Sequence, residues 1–152
     1  MGSRRLAREF RTFEEYPPPC PVVHSVILVE ENLFEWSMAV LGPAGSPYEG
    51  GIFRVACSFP ENYPFNAPTL RFMTRIYHPN VDDDGSVCLG ILKSEAWKPA
   101  NRMVDVMNAL GDLLLNPVAT DALRTDIGDL YQSDRAAYNS RAAAWARDYA
   151  SA

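Results

Sequence analysis

The stretch Phe53-Arg54-Val55-Ala56-Cys57-Ser58-Phe59-Pro60 alternates apolar residues with polar or small ones. A period of two places alternate side chains on opposite faces of a β-strand, so the bulky apolar residues and Cys57 should share one face. Pro60 ends the strand because it has no amide for a ladder hydrogen bond. We therefore predict a sheet protein, with Cys57 as a small buried hydrophobe in its core.

Three further strands accompany this one. β-branched and aromatic residues run from Val22 to Val29 and from Leu33 to Leu41, with Glu30-Glu31-Asn32 between them as a short hairpin turn. A loop rich in glycine and proline follows at residues 42–47, and a fourth short strand is predicted over Thr69 to Met73. Strands this close in sequence pair antiparallel, so the prediction is a four-stranded meander.

A helix is predicted before the strands, over about residues 3 to 16. Its apolar residues recur at the spacing i, i+4, i+7, which is typical of one helix face: Leu6, Phe10 and Phe13. Three consecutive prolines, residues 17–19, end it.

Three more helices are predicted after Pro99. The first has an apolar face broad enough for a central buried helix and ends at Asn116-Pro117, the second runs from about Asp121 to Gln132, and the third is capped by Ser133. Between strands and helices, residues 75–100 have no periodicity. The layout predicts one α+β domain over residues 1–152: an N-terminal helix, a four-stranded antiparallel meander, an irregular loop and three C-terminal helices.

Composition bounds the class of protein. The chain has 152 residues, 47% of them hydrophobic, and a formal net charge of -5. An acidic balance argues against nucleic acid as a partner. No apolar stretch approaches membrane-spanning length and the N-terminus is polar and arginine-rich, so we expect no membrane association and no signal peptide. Three cysteines without paired spacing fit a reduced compartment, the cytoplasm or nucleus. Separately, we expect the protein to be a monomer.

The irregular segment holds the candidate chemistry. Its centre, residues 78–89, places the Asn80 amide and the Cys88 thiol in one short loop. Long irregular segments in compact domains are often functional, and a thiolate is a nucleophile. We predict Cys88 as a nucleophile and Asn80 as its polar helper.

Several other chemistries fit this loop poorly. A cysteine hydrolase needs a histidine base, but His24 belongs to the first strand and His78 precedes a proline in a rigid turn. A calcium loop needs a bidentate glutamate at its twelfth position, which here is Ile91. Zinc-ligand spacing and a phosphate-binding loop are missing from the sequence, so we expect no metal and no cofactor. Acyl exchange between thiols needs no dedicated base and stays open beside hydrolysis.

A series of short motifs runs along the chain: Pro43, Tyr48-x-Gly50-Gly51-x-Phe53, Phe59-Pro60-x-x-Tyr63-Pro64-Phe65-x-x-Pro68, Tyr77-His78-Pro79-Asn80, Gly85-x-Val87-Cys88-Leu89-x-Ile91-Leu92, Trp97-x-Pro99-Ala100 and Tyr131-x-x-Asp134-Arg135. Each motif is weak alone, and the ordered set is specific. On these motifs the chain resembles the ubiquitin-conjugating enzymes from Arg4 to Tyr149. The resemblance implies the ubiquitin-conjugating core fold, without an appended tail.

The resemblance also implies a reaction. Cys88 would accept the C-terminus of ubiquitin as a thioester from an activating enzyme, and would pass it to a substrate lysine or to a ligase cysteine. Asn80 would stabilise the oxyanion of thioester aminolysis or order the loop. Asp121 would face the thiol across a cleft and orient the incoming amine. The loop-shaping residues would be Tyr77, His78 and Pro79.

Partner surfaces are implied in the same way. The arginines of the first helix would bind the activating enzyme and, in overlapping fashion, ligases of the RING or HECT type: Arg4, Arg5, Arg8 and Arg11. Ligase domains would also grip the apolar knobs Phe65, Pro99 and Ala100. The implied partners are thus ubiquitin, its activating enzyme, a ligase and substrate proteins. No cofactor is implied, since the activating enzyme consumes the ATP.

Some features depart from the family pattern or leave alternatives open. Gly90 stands where many ubiquitin-directed members carry an acidic residue, and the unusual stretch Pro21–Glu31 leaves non-covalent ubiquitin binding near Ser25 open. The nearest alternative is a conjugating enzyme for SUMO or NEDD8, although the acidic balance argues against the basic SUMO enzyme. A non-catalytic scaffold of this fold would lack the cysteine, whereas Cys88 is present.

Overall fold

All the predicted strands and helices form in the computed structural model, which describes residues 2–18, 21 and 23–151. The helices are Gly2–Glu15 (α1), Met103–Leu115 (α2), Thr125–Ser133 (α3) and Arg135–Tyr149 (α4), and the strands are Val23–Val29 (β1), Asn32–Leu41 (β2), Ile52–Ser58 (β3) and Thr69–Phe72 (β4). Short 3₁₀ helices occupy Gly90–Leu92 and Ala119–Asp121. The predicted α+β class and element order are confirmed. Cys20 and the predicted first strand residue, Val22, lie outside the described residues.

The strands pair antiparallel in the order β1-β2-β3-β4, so the predicted meander is confirmed. The hairpin between β1 and β2 is tighter than predicted, because Val29 already pairs with Asn32. Its two turn residues, Glu30 and Glu31, have φ values of +52° and +61°. Two-residue hairpin turns favour this left-handed region of backbone conformation. Residues other than Gly and Asn seldom adopt it.

The alternation of β3 has the predicted outcome. Phe53, Val55 and Cys57 are 1%, 0% and 0% exposed, whereas Arg54 on the opposite face is exposed. Burial raises the pKa of the Cys57 thiol well above its usual range. This cysteine is therefore a packed, protonated core residue, as predicted.

Helices α1 and α2 cover the buried face of the sheet. Phe10 and Phe13 of α1 pack edge-on against the indole of Trp36 in β2, with ring centroids 5.3 and 6.0 Å apart. α2 is the predicted central helix, and its whole apolar face is buried in the same core: Met103, Val106, Met107, Leu110, Leu113 and Leu114. The sheet and α2 together form the rigid support for the irregular loop.

The predicted N-cap of the last helix is wrong. Ser133 is the last residue of α3, and α4 is capped instead by Asp134, whose carboxylate accepts a hydrogen bond from the Ala137 amide at 3.1 Å. Serine and aspartate are comparably good N-caps. Because Ser133 and Asp134 are adjacent in sequence, only the position at which α3 ends decides which of them caps α4.

The predicted start of α3 is also wrong. The sequence placed it near Asp121, but Asp121 ends a 3₁₀ turn and α3 begins at Thr125. The amides of Leu123 and Arg124 donate to the carbonyl of Pro79 at 2.8 and 3.1 Å. This long-range contact holds the connection in a non-helical conformation against the irregular loop.

Candidate active site

The loop that leads to Cys88 is built on a tight acidic turn. Within residues 82–84, two carboxylates accept backbone amide hydrogen bonds at 2.9 Å. Gly85 follows with φ +89°, and a Cβ there would lie 2.0 Å from the carbonyl oxygen of Phe72, so only glycine fits. Among the described residues, no group of three or more His, Cys, Asp or Glu side chains is placed to hold a metal ion. The acidic residues serve the turn.

His78 is a buried, neutral structural residue. It is 0% exposed, and burial lowers the pKa of its imidazole to about 4, against a smaller opposing effect of the hydrogen bond to Leu113. Its Nε2 donates to the Leu113 carbonyl at 2.8 Å, and its Nδ1 accepts from the Asn80 amide at 3.0 Å. Both ring nitrogens are therefore engaged within the protein, which leaves neither free to act as a base on a substrate.

The side neighbours of His78 also fix the loop. Tyr77 is 7% exposed, and its carbonyl accepts a hydrogen bond from the Tyr48 hydroxyl at 2.5 Å. Pro79 is buried, and its carbonyl holds the connection before α3, as described above. These contacts hold the backbone of the loop at Tyr77 and Pro79.

The Asn80 side chain joins two segments that are far apart in sequence. It is 0% exposed. Its Nδ2 donates to the carbonyls of Val118 and Asp121 at 2.9 and 3.2 Å, and its Oδ1 accepts from the Val118 amide at 2.9 Å. The whole carboxamide is thus engaged in tying the irregular loop to residues 118–121.

Cys88 lies at the end of this braced segment. Its amide donates to the Asn80 carbonyl at 2.9 Å, and the residue is half-buried, in contrast to the fully buried Cys57. The next residue, Leu89, is only 5% exposed and anchors the chain in the core. Of the cysteines within the described residues, Cys88 is therefore the one that solvent and a partner can reach.

Asp121 is joined to the irregular loop through Asn80. Its carbonyl is held by Asn80, while its carboxylate is half-exposed and lies 3.6 Å from the Nζ atom of Lys93. Lys93 follows the 3₁₀ turn Gly90–Leu92 that succeeds Cys88. The structure thus joins Cys88 and Asp121 through Asn80, whose carbonyl accepts from the Cys88 amide and whose Nδ2 donates to the Asp121 carbonyl. Sequence reasoning missed Lys93, because nothing local signals its ion pair.

The predicted partner-binding residues are mostly at the surface. Phe65 is 56% exposed, and the other knobs and three of the four arginines are also exposed: Pro99, Ala100, Arg4, Arg8 and Arg11. Arg5 differs, since its guanidinium donates to the carbonyls of Pro99 and Asn101 and its Nε pairs with Glu9 at 3.0 Å. Arg5 is therefore partly occupied within the protein.

Glu9 is a second residue that sequence reasoning missed. Its side chain is 11% exposed, and its two carboxylate oxygens accept hydrogen bonds from the Met103 amide at 2.7 Å, from the Tyr63 hydroxyl at 2.6 Å and from Arg5. The carboxylate thus sits at the N-terminus of α2, where the helix dipole favours negative charge. Together, Glu9 and Arg5 join α1 to the two loops that carry the apolar knobs.

Comparison with known proteins identifies this arrangement. The family model for ubiquitin-conjugating enzymes matches residues 5–146. The chain belongs to the ubiquitin-conjugating enzyme family. It is 42% identical over 148 residues to a curated Schizosaccharomyces pombe protein, ubiquitin-conjugating enzyme E2 14, across 97% of this chain and 91% of that protein.

Membership confirms the family, fold and enzyme class predicted from the sequence. Ubiquitin-conjugating enzymes are transferases that act through a cysteine thioester.

Among the described residues, no helix combines the length and apolar character needed to cross a membrane.

Proposed function

We propose that this ubiquitin-conjugating enzyme carries ubiquitin as a thioester on Cys88. The observation that supports the assignment is the position of Cys88, half-buried at the end of a loop whose backbone is fixed by Asn80 and His78. The Cys88 thiolate attacks the activated carbonyl at the ubiquitin C-terminus. The new thioester bond forms as the bond from that carbonyl to the sulfur of the activating enzyme breaks, and this sulfur leaves as a thiolate. No cofactor of its own is required, since the activating enzyme has already consumed the ATP.

Ubiquitin is the proposed cargo in preference to SUMO or NEDD8. Both the matching family and the S. pombe relative are named for ubiquitin. The net charge of -5 further disfavours the SUMO alternative, which was expected to require a basic enzyme.

Asn80 has a primarily structural role in the proposed mechanism. Its three side-chain hydrogen bonds hold residues 118–121, and with them Asp121, against the loop that leads to Cys88. To donate to the oxyanion, its Nδ2 would have to give up the bond to Asp121, the longer of its two at 3.2 Å.

Asp121 is the proposed acceptor-orienting residue. The exposed Asp121 carboxylate would attract the ammonium of an incoming lysine and accept its proton as a general base, which frees the amine to attack the thioester carbonyl. We expect the charged enzyme to discharge to free lysine without a ligase, and Asp121→Asn to slow this discharge while sparing discharge to a thiol. Ready discharge to free cysteine with none to lysine at neutral pH would contradict this role.

Partner binding is proposed to use two adjoining surfaces. The exposed arginines of α1 suit an acidic surface of the activating enzyme, and the exposed knobs Phe65, Pro99 and Ala100 suit an apolar groove of a RING or HECT ligase. Because Arg5 bonds the loop that carries Pro99, the two surfaces adjoin, and we propose that the activating enzyme and the ligase bind in turn. The working protein is proposed to be a cytoplasmic or nuclear monomer that modifies substrate proteins.

A charging reaction tests the central assignment. With ATP, activating enzyme and ubiquitin, the protein should give an adduct that thiol reductant removes. Cys88→Ser should give an adduct that resists reductant, because an oxygen ester replaces the thioester. Cys57→Ala is the matched control and should charge like the wild type, since Cys57 is 0% exposed. A reductant-sensitive adduct on Cys88→Ser would overturn the assignment.

A further inference from the structure

Few of the basic residues of the chain are lysines. Of fourteen lysines and arginines, only Lys93 and Lys98 are lysines. Arginine stays protonated at all physiological pH values, so it cannot attack a thioester. A protein with so few amines of its own still keeps one beside the proposed site.

The geometry places Lys93 in the position of an acceptor amine. Its Nζ lies 3.6 Å from Asp121 Oδ2, and no other ion pair of Asp121 forms within residues 2–18, 21 and 23–151. Its backbone amide is bonded to the Gly90 carbonyl at 3.1 Å, which holds Lys93 at the end of the 3₁₀ turn that follows Cys88. Gly90 itself offers no carboxylate as an alternative partner, and its missing Cβ would meet nothing within 4 Å.

We propose that Lys93 is a specificity-determining residue that occupies the acceptor-lysine position at Asp121 until an external lysine displaces it. The inference rests on the proposed role of Asp121. An incoming lysine and Lys93 are both ammonium ions at neutral pH, so each reduces the attraction of Asp121 for the other. A substrate must therefore bring binding energy from other contacts, which disfavours isolated amines.

The expected effect is modest, because the pair is exposed to solvent. The side chains of Lys93 and Asp121 are 41% and 50% exposed. Exposed ion pairs contribute little, so removal of Lys93 should lower the half-saturating concentration of lysine by roughly two- to fivefold. The difference should shrink as salt rises towards 1 M, since salt screens exposed charges.

The experiment measures ligase-free discharge of the charged enzyme to free lysine over a range of concentrations. Lys93→Met should lower the half-saturating lysine concentration and leave the maximal rate unchanged. Lys93→Arg keeps the cation and should behave like the wild type, as should Lys98→Met, which removes the other lysine. Discharge to 2-mercaptoethanol, an uncharged thiol, should be equal in all four proteins because it does not use the amine position.

Each other result has a definite meaning. A half-saturating lysine concentration for Lys93→Met that equals or exceeds that of the wild type overturns the proposal. A decrease in Lys93→Arg or Lys98→Met that matches the decrease in Lys93→Met overturns it too. Mass spectrometric detection of ubiquitin joined to Lys93 in the charged wild type, formed faster than thioester hydrolysis, also overturns it, because Lys93 is then an acceptor and not a competitor. Failure of the proposed function is distinguishable, since no reductant-sensitive adduct would form in any variant.

Discussion

Replacement of Asn80 by alanine tests the tie that assembles the site. The substitution removes the hydrogen bonds to the Val118 carbonyl, the Asp121 carbonyl and the Val118 amide. It does so at a residue that is 0% exposed, where the lost carboxamide also leaves a void. Residues 118–121 should then loosen, and Asp121 should no longer be held opposite Cys88.

The magnitude follows from the number of hydrogen bonds. A net contribution of about 0.5–1.5 kcal/mol for each of the three gives a loss of roughly 1.5–4.5 kcal/mol in the free energy of unfolding. Asn80→Asp should cost more than alanine at neutral pH, because its carboxylate would face two carbonyl oxygens without a donor between them.

Urea unfolding at pH 7 measures the stability, and single-turnover discharge to lysine measures the site. Asn139→Ala is the matched control, since Asn139 is exposed on α4, and such surface changes usually stay within about 0.5 kcal/mol. A loss below about 1 kcal/mol for Asn80→Ala would refute the structural role argued here. If that small loss accompanies a rate decrease of about 10²–10³, the size typical for removal of an oxyanion donor, the amide acts on the oxyanion instead.

Three further predictions concern the fold, its pH dependence and the ligase surface. Glu9→Ala should cost about 3–5 kcal/mol in urea unfolding, because it removes a nearly buried charged acceptor from Tyr63 and from the start of α2. Glu14→Ala is an exposed control on α1 and should cost little, so equal losses in the two variants would contradict the role of Glu9. His78 has a pKa of about 4 in the folded protein against 6.5 when unfolded, so the unfolded chain binds more protons between these pH values. The free energy of unfolding should therefore fall by about 2 kcal/mol from pH 7 to pH 5. A His78→Gln variant whose stability falls as steeply would refute the assignment. Phe65→Ala should leave the unfolding midpoint and charging unchanged but weaken ligase-stimulated discharge, because the ring is 56% exposed; a loss of charging would place the residue on the activating-enzyme surface.

The sequence by itself determined the elements and most of the core. The period of two in β3 and the broad apolar face of α2 are local signals, and both faces are buried as predicted. The position of Cys88 in an aperiodic loop was equally visible, and the ordered motifs around it were enough to predict the family. These features depend on residues close in sequence, where geometry follows directly from spacing.

Only the tertiary structure decided how the site is joined. The carboxamide of Asn80 binds a segment near residue 118, and Asp121 meets Lys93. Glu9 receives hydrogen bonds from Tyr63 and from the start of α2. A long-range contact also accompanies the misplaced start of α3, since the amides of Leu123 and Arg124 before the helix donate to the Pro79 carbonyl. A side chain's partner across such a distance depends on how whole elements pack, and periodicity along the chain carries no information about that packing.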